Sequence, residues 1–145
     1  MSGPSAARRT VLKGAALAGA AGLGAAACST GSKLGHAENP TPTTPTAPVD
    51  LGAAAEVPVG GAKLYRDQRL VVSCPAKGEY KAFSAQCTHA GCLLEKLEGT
   101  VGDCPCHGSK FDVTTGKAIQ GPATASLPEV PVTAEGGKLI AGPRA

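Results

Sequence analysis

From Val57 onward the chain alternates short apolar segments with turn residues, a pattern that is typical of β-strands. Gly136-Gly137 between two such segments is a strong hairpin signal, and Glu98-Gly99 predicts a second hairpin. No segment of this region has the 3.6-residue apolar period of a helix. The pattern therefore predicts an antiparallel all-β domain, with strands over 69–73, 79–84, 93–97, 100–103, 130–133 and 138–140.

The first 28 residues have a different pattern and predict a targeting segment. Arg8-Arg9 precedes a run of alanine, glycine and leucine over 14–27. The run is too short and too weakly apolar for a stable membrane span, so we interpret it as a signal segment. The arginine pair followed by Leu12 and Lys13 resembles a twin-arginine export signal. The alternative is an ordinary secretory signal that carries two arginines by chance.

Cys28 ends this leader directly after three alanines. Small residues before a cysteine resemble the processing site of a bacterial lipoprotein, which predicts lipidation of Cys28 and anchoring to the outer face of the membrane. The alternative is cleavage nearby, which would leave a secreted protein with a free thiol.

Residues 29–55 predict a linker. Pro40, Pro42, Pro45 and Pro48 are interspersed with threonines, a composition that favours an extended and solvated polyproline conformation. His36 lies in this stretch and is not expected to bind a metal. The sequence thus divides into a signal segment (1–28), a linker (29–55) and a β domain (56–145).

Charge excludes one class of partner. The formal net charge is +3 over 145 residues, and Arg8, Arg9 and Lys13 account for the whole excess of basic residues. Because the rest of the chain has no basic patch with interleaved aromatic residues, the sequence does not predict nucleic-acid binding.

Two short boxes hold four of the six cysteines and two of the three histidines. Residues 87–92, the first box, read C-T-H-A-G-C, and residues 104–109, the second box, read C-P-C-H-G-S. Each box offers a thiolate and an imidazole at short range, and each has one cysteine to spare. Two thiolates and two imidazoles can bind zinc in a closed site or a [2Fe–2S] cluster. The spacing favours the cluster, because zinc knuckles usually separate their ligands by two to four residues.

At these residues the chain resembles the Rieske iron–sulfur proteins, over about 56–142. The resemblance implies a Rieske-type antiparallel sandwich with a small cluster-binding subdomain and one [2Fe–2S] cluster per chain. It implies roles for nine residues: Cys87 and Cys104 on one iron, His89 and His107 on the other, a Cys92–Cys106 disulfide, a Ser109 hydroxyl that donates to the cluster, and a third loop at Gly121-Pro122.

Two positions depart from the family pattern. Ala90 stands where a shielding leucine is common, and Phe111 stands where a tyrosine hydroxyl often donates to a cysteine sulfur. Because a lost hydrogen bond to sulfur lowers a cluster's reduction potential, we expect a potential below that of the best quinol-oxidising relatives.

The resemblance implies one-electron transfer by an exported protein that is tethered to the membrane. The implied partners are redox proteins: a cytochrome, an oxidase or a quinol-oxidising complex. No sequence feature indicates a substrate pocket, so catalysis by the chain alone is not expected. The alternatives are a zinc-stapled extracellular binding module and a small Rieske subunit of a larger oxidoreductase.

Overall fold

The computed structural model describes residues 41–144. The signal segment, Cys28, His36 and the first part of the linker lie outside the described residues. Within them the chain forms eleven β-strands and one short 3-10 turn, η1 (Ala54–Glu56). The strands are β1 (Val49–Ala53), β2 (Ala62–Tyr65), β3 (Leu70–Ala76), β4 (Glu79–Ser84), β5 (Lys96–Glu98), β6 (Val101–Asp103), β7 (Lys110–Asp112), β8 (Ala118–Gln120), β9 (Glu129–Val130), β10 (Val132–Glu135) and β11 (Lys138–Ala141).

The strands form three antiparallel sheets, and the all-β prediction is confirmed. The strand orders are β1-β11-β10, β2-β3-β4-β9 and β5-β6-β7-β8. No helix among the described residues is long and apolar enough to cross a membrane.

The sheet that contains β3 and β4 lies between the two hydrophobic cores. Leu70, Val72 and Ala82 pack with residues of β1 and β11 in the first core. Val71 and Phe83 point to the other face, where they pack in the second core. Because side chains alternate across a strand, a sheet covered on both faces needs a continuous apolar run, and Leu70, Val71 and Val72 provide it, fully buried.

The second core supports both boxes. The first box lies between β4 and β5, and the second lies between β6 and β7. Cys87 and Cys104 are members of this core, together with Leu94, Phe111 and Val113. The loops that carry the boxes are therefore anchored in the second core by their first cysteines.

The linker prediction is wrong in its end point. Val49–Ala53 forms β1 and pairs with β11, with Leu51 buried in the first core. The proline- and threonine-rich composition of 40–48 indicates a linker, and β1 directly after it is too short, with Gly52 inside it, to give a clear strand signal. The domain therefore begins before residue 56.

Several strand bounds also differ from the prediction. β3 extends through Pro75 to Ala76 by way of a bulge, and the predicted strand over 130–133 is divided at Pro131 between β9 and β10. Strand β5 begins three residues later than expected, since Leu93 and Leu94 belong to the exit of the first box. Strands β2, β7 and β8 were not expected, because three or four residues carry too little periodic signal.

Gly116 marks the closest approach of the β7–β8 turn to the central sheet. Its φ is +74°, and a Cβ there would lie 2.7 Å from Phe83 Cε1 and 3.0 Å from the Leu127 carbonyl oxygen. We predict that Gly116→Ala destabilises the domain by about 3 kcal/mol, from left-handed strain and overpacking together.

Gly99→Ala is the matched control for this prediction. Gly99 has a φ of +62°, and within residues 41–144 no atom outside its chain neighbours lies within 4 Å of a built Cβ, so Gly99→Ala should lower stability only through left-handed strain, by about 1 kcal/mol. Thermal unfolding of the two variants should give a clearly lower midpoint for Gly116→Ala. Equal midpoints would contradict the packing account.

Candidate metal centre

The two boxes share one backbone conformation. In the first, the Cys87 amide donates to the Cys92 carbonyl at 2.7 Å, and the Gly91 amide donates to the Cys87 carbonyl at 2.9 Å. In the second, the Cys104 amide donates to Ser109 at 2.9 Å, and the Gly108 amide donates to Cys104 at 3.1 Å. Each loop thus closes with the same two hydrogen bonds between equivalent positions.

Glycine is required at the fourth residue after the first cysteine of each box. Gly91 has a φ of +78° and Gly108 a φ of +77°. Other residues pay about 1–2 kcal/mol for this left-handed conformation. The equivalent turns let two different sequences present their side chains in a similar way.

The two free thiols of the boxes are buried side by side. Cys87 and Cys104 are 1% and 2% exposed, and neither is in a disulfide. Burial raises the pKa of the Cys104 thiol, and the adjacent Cys87 thiol raises it further. The backbone amides of Cys106 and His107 act in the opposite direction, since they donate toward the Cys104 sulfur and favour its thiolate.

The two histidines of the boxes face each other at the surface. Their Nδ1 atoms are 3.2 Å apart, and their rings meet edge to face with centroids 4.6 Å apart. His89 is partly buried and His107 is exposed. The boxes therefore bring the four residues that the sequence singled out into two pairs, a buried pair of thiols and a pair of imidazoles nearer the surface.

The remaining cysteines of the boxes join the two loops. Cys92 and Cys106 form a disulfide with their Cα atoms 6.5 Å apart. The Cys104 sulfur lies within 4.8 Å of both disulfide sulfurs. Because the disulfide sulfurs are already oxidised, they are not available as thiolate ligands, and the bridge acts as a covalent clamp between the boxes.

A third loop, residues 121–126, connects to both boxes. The Ala123 amide donates to the fully buried Ser109 hydroxyl oxygen at 3.0 Å. The Thr88 hydroxyl donates to the Ala125 carbonyl at 2.7 Å. Gly121 and Pro122 are exposed at the start of this loop. Because the Ser109 oxygen accepts the hydrogen bond from the Ala123 amide, its own O–H group remains free to donate to another acceptor.

Three polar residues around the boxes were not expected from the sequence. Thr88 connects the first box to the third loop, and the Gln120 side chain donates to the Gly108 carbonyl at 2.8 Å. The third is Gln86, directly before Cys87, which is 8% exposed. Thr88 lies inside a conspicuous motif and could have been flagged, but the two glutamines lack any sequence signal.

The donor set fits an iron–sulfur cluster with mixed ligands. Two nitrogens 3.2 Å apart can share one metal at the usual bond length of about 2.1 Å, with an angle of about 100°, close to tetrahedral. The adjacent thiols can bind a second metal on the buried side. Such a split of nitrogen and sulfur is the arrangement that Rieske clusters use.

Comparison with known proteins agrees with this chemistry. Residues 44–131 match the Rieske [2Fe-2S] domain family. The chain is 39% identical over 93 residues to the cytochrome b6-f complex iron-sulfur subunit of Chlorobaculum tepidum. The match covers 62% of this chain and 50% of that subunit, so the chain spans about half the length of this relative.

Solved structures give the same result for the fold. The cyanobacterial plasma membrane Rieske protein PetC3 from Synechocystis PCC 6803 aligns with a TM-score of 0.54 at 28% identity, covering 66% of this chain and 99% of that one. The Sphingomonas yanoikuyae B1 ferredoxin aligns with a TM-score of 0.52 at 30% identity, covering 66% and 97%.

The chain belongs to the Rieske [2Fe-2S] domain family. Its cofactor is therefore a [2Fe–2S] cluster and its chemistry is electron transfer, as the sequence predicted. The family match does not support the alternative of a zinc-stapled module.

The disulfide generates a prediction about stability. It closes a loop with a sequence separation of 14, which corresponds to about 3 kcal/mol on the chain-entropy model. Replacing both Cys92 and Cys106 by serine should lower the free energy of unfolding by about that amount, measured by urea denaturation of the protein without cofactor. A reducing agent should bring the parent to the level of the variant. A variant as stable as the oxidised parent would contradict the clamp.

Proposed function

We propose that this chain is an exported, membrane-tethered one-electron carrier whose cluster is held by Cys87, Cys104, His89 and His107. The observation that carries the proposal is that the same two loops hold a pair of facing Nδ1 atoms, 3.2 Å apart, and two free, buried thiols. When bound, the cluster supplies a one-electron couple.

The surroundings of the proposed ligands favour electron exchange through one side of the site. Cys87 and Cys104 lie in the second hydrophobic core, which excludes water and protein partners from the sulfur side. His107 is exposed and His89 partly so. A redox partner therefore approaches the histidine side, which is the short route to the cofactor.

The loops at the surface that a partner meets carry the two box histidines but no lysine, arginine, aspartate or glutamate. Residues 87–92, 104–109 and 121–126 contain no Lys, Arg, Asp or Glu. Contact there depends on close apolar fit and hydrogen bonds more than on ion pairs. The relatives support a cytochrome-containing complex as the partner, since the relative in Chlorobaculum tepidum is a subunit of a cytochrome b6-f complex.

Phe111 supports a reduction potential below that of the best quinol oxidisers. Its ring is fully buried in the second core and carries no hydroxyl. The position can therefore fill space beside the cluster-binding loops but cannot donate a hydrogen bond to sulfur.

Export and tethering rest on the leader sequence. Arg8-Arg9, the short apolar run and Cys28 after three alanines support export followed by lipidation. Export of an already folded protein suits a cofactor that is assembled before export. The proposed location is the outer face of the cytoplasmic membrane.

Substitution of the box histidines tests the ligand assignment. His89→Ala and His107→Ala should each lose bound iron and the low-g electron paramagnetic resonance signal of the reduced protein, because each removes one ligand from the same metal. Loss of a ligand should weaken iron binding by more than the 10- to 100-fold that is typical when a residue hydrogen-bonded to a ligand is replaced. His36→Ala is the matched control and should keep both iron and signal. Retention of the signal in His107→Ala would overturn the assignment.

Substitution of Cys28 tests the anchor. In a bacterial host that processes lipoproteins, the parent should partition into the detergent phase with a mass increase from acylation. Cys28→Ser should move to the aqueous phase and lose that increase, because the acylated thiol is gone. Ser29→Ala should behave like the parent. Equal partitioning of parent and Cys28→Ser would refute lipid anchoring.

A further inference from the structure

The end of the proline-rich segment is docked on the domain. We call residues 43–48 the strap. The Thr43 amide and hydroxyl donate to Gln86 Oε1 at 2.8 and 3.1 Å. The Thr43 carbonyl accepts from the Ser84 hydroxyl at 3.3 Å. Three polar groups of one threonine are therefore paired with Ser84, the last residue of β4, and with Gln86, which precedes the first box.

The strap is also packed at its other end. A Cβ built on Gly142 would lie 2.5 Å from the Ala47 carbonyl oxygen and 3.3 Å from Pro45 Cβ. The absence of a side chain at Gly142 lets the strap approach the end of β11. The strap is thus held at both ends before the chain enters β1.

Gln86 connects the strap to the first box through a single side-chain amide. Its oxygen accepts the two Thr43 bonds, while its Nε2 donates to the Gly91 carbonyl at 3.3 Å. Gln86 is 8% exposed, so its amide depends on these partners instead of water. Gly91 lies between His89 and Cys92, and Cys87 directly follows Gln86.

We propose that Gln86 is a positioning residue through which the docked strap holds the first box in its ligand-binding conformation. The inference rests on the proposed function, in that this box supplies Cys87 and His89 as ligands. When Thr43 leaves, the Gln86 amide loses its two fixed donors and turns toward water. The Gly91 carbonyl then loses its fixed donor, and the turn that orients His89 becomes looser.

The same contact shortens the tether. In polyproline conformation the chain from residue 29 to 42 would span roughly 45 Å, compared with roughly 85 Å for the whole of 29–55. The tether therefore joins the domain beside the first box and not at the start of β2. If Cys28 is anchored as proposed, tension on the chain reaches the domain at Thr43, which contacts Gln86, the residue before the proposed ligand Cys87.

The test uses the full-length protein with its cofactor. Thr43→Pro removes both donors to Gln86 within a segment that already favours proline. Loss of a net hydrogen bond of about 1 kcal/mol should raise amide hydrogen exchange across 86–94 by about fivefold. The midpoint potential should also shift, which a merely structural contact remote from the ligands would not cause.

Matched variants isolate the role of the strap. Thr46→Pro is the control, because Thr46 is exposed and makes no hydrogen bond within residues 41–144. It should leave exchange and potential unchanged. Thr43→Ser keeps both donors and should behave like the parent, and Thr43→Val should show a smaller effect than Thr43→Pro.

Gln86→Leu should raise exchange and shift the potential as Thr43→Pro does, and the double variant of Thr43→Pro and Gln86→Leu should add nothing further.

The outcomes separate this inference from the proposed function. If the parent contains the cluster but Thr43→Pro and Thr46→Pro show equal exchange over 86–94 and equal potentials, the positioning role is wrong. Additive effects of Gln86→Leu and Thr43→Pro would also overturn it. If the parent binds no iron, the ligand assignment itself fails, whatever the exchange data show.

Discussion

The structure depends on two loops that adopt the same turn and face each other over one pair of buried thiols. In each loop the first cysteine is closed onto the residue five positions later, and a glycine supplies the left-handed turn. The shared backbone brings two thiols together inside and two imidazoles together outside. Without that match, Cys87 and Cys104 would have no reason to be neighbours.

The rest of the domain holds the two loops in this arrangement. The disulfide joins the loops covalently, and the third loop connects to both by hydrogen bonds from Thr88 and to Ser109. Below them the second core joins the β5–β8 sheet to the central sheet. Gly116 lets the β7–β8 turn approach Phe83 of the central sheet. The position of the boxes is therefore determined by packing as well as by local hydrogen bonds.

Local sequence predicted the chemistry better than the architecture. The boxes were visible because rare residues with metal affinity are concentrated in twelve positions, and the all-β class followed from short apolar segments and turn glycines. Strands β2, β7 and β8 were missed because their pairing is set by tertiary packing and not by periodicity. Of the third sheet only the β5–β6 hairpin was predicted, because the short strands β7 and β8 carry too little periodic signal.

The docking of the strap on the domain could not be predicted from the sequence. Proline and threonine in 40–48 predict an extended chain, but composition does not reveal whether such a chain is free or docked. Docking depends on Gln86 and Gly142, which are distant in sequence and ordinary in type. A linker by composition can therefore be part of the domain by contact, and here it contacts the residue next to a proposed ligand.

The most direct test of the account counts the histidine nitrogens bound to the metal. Protein labelled with ¹⁵N only in histidine would be reduced and studied by electron–nuclear double resonance. The account predicts two strongly coupled histidine nitrogens, one from each box, since it assigns the facing Nδ1 atoms to the same iron. One coupled nitrogen, or none, would contradict it.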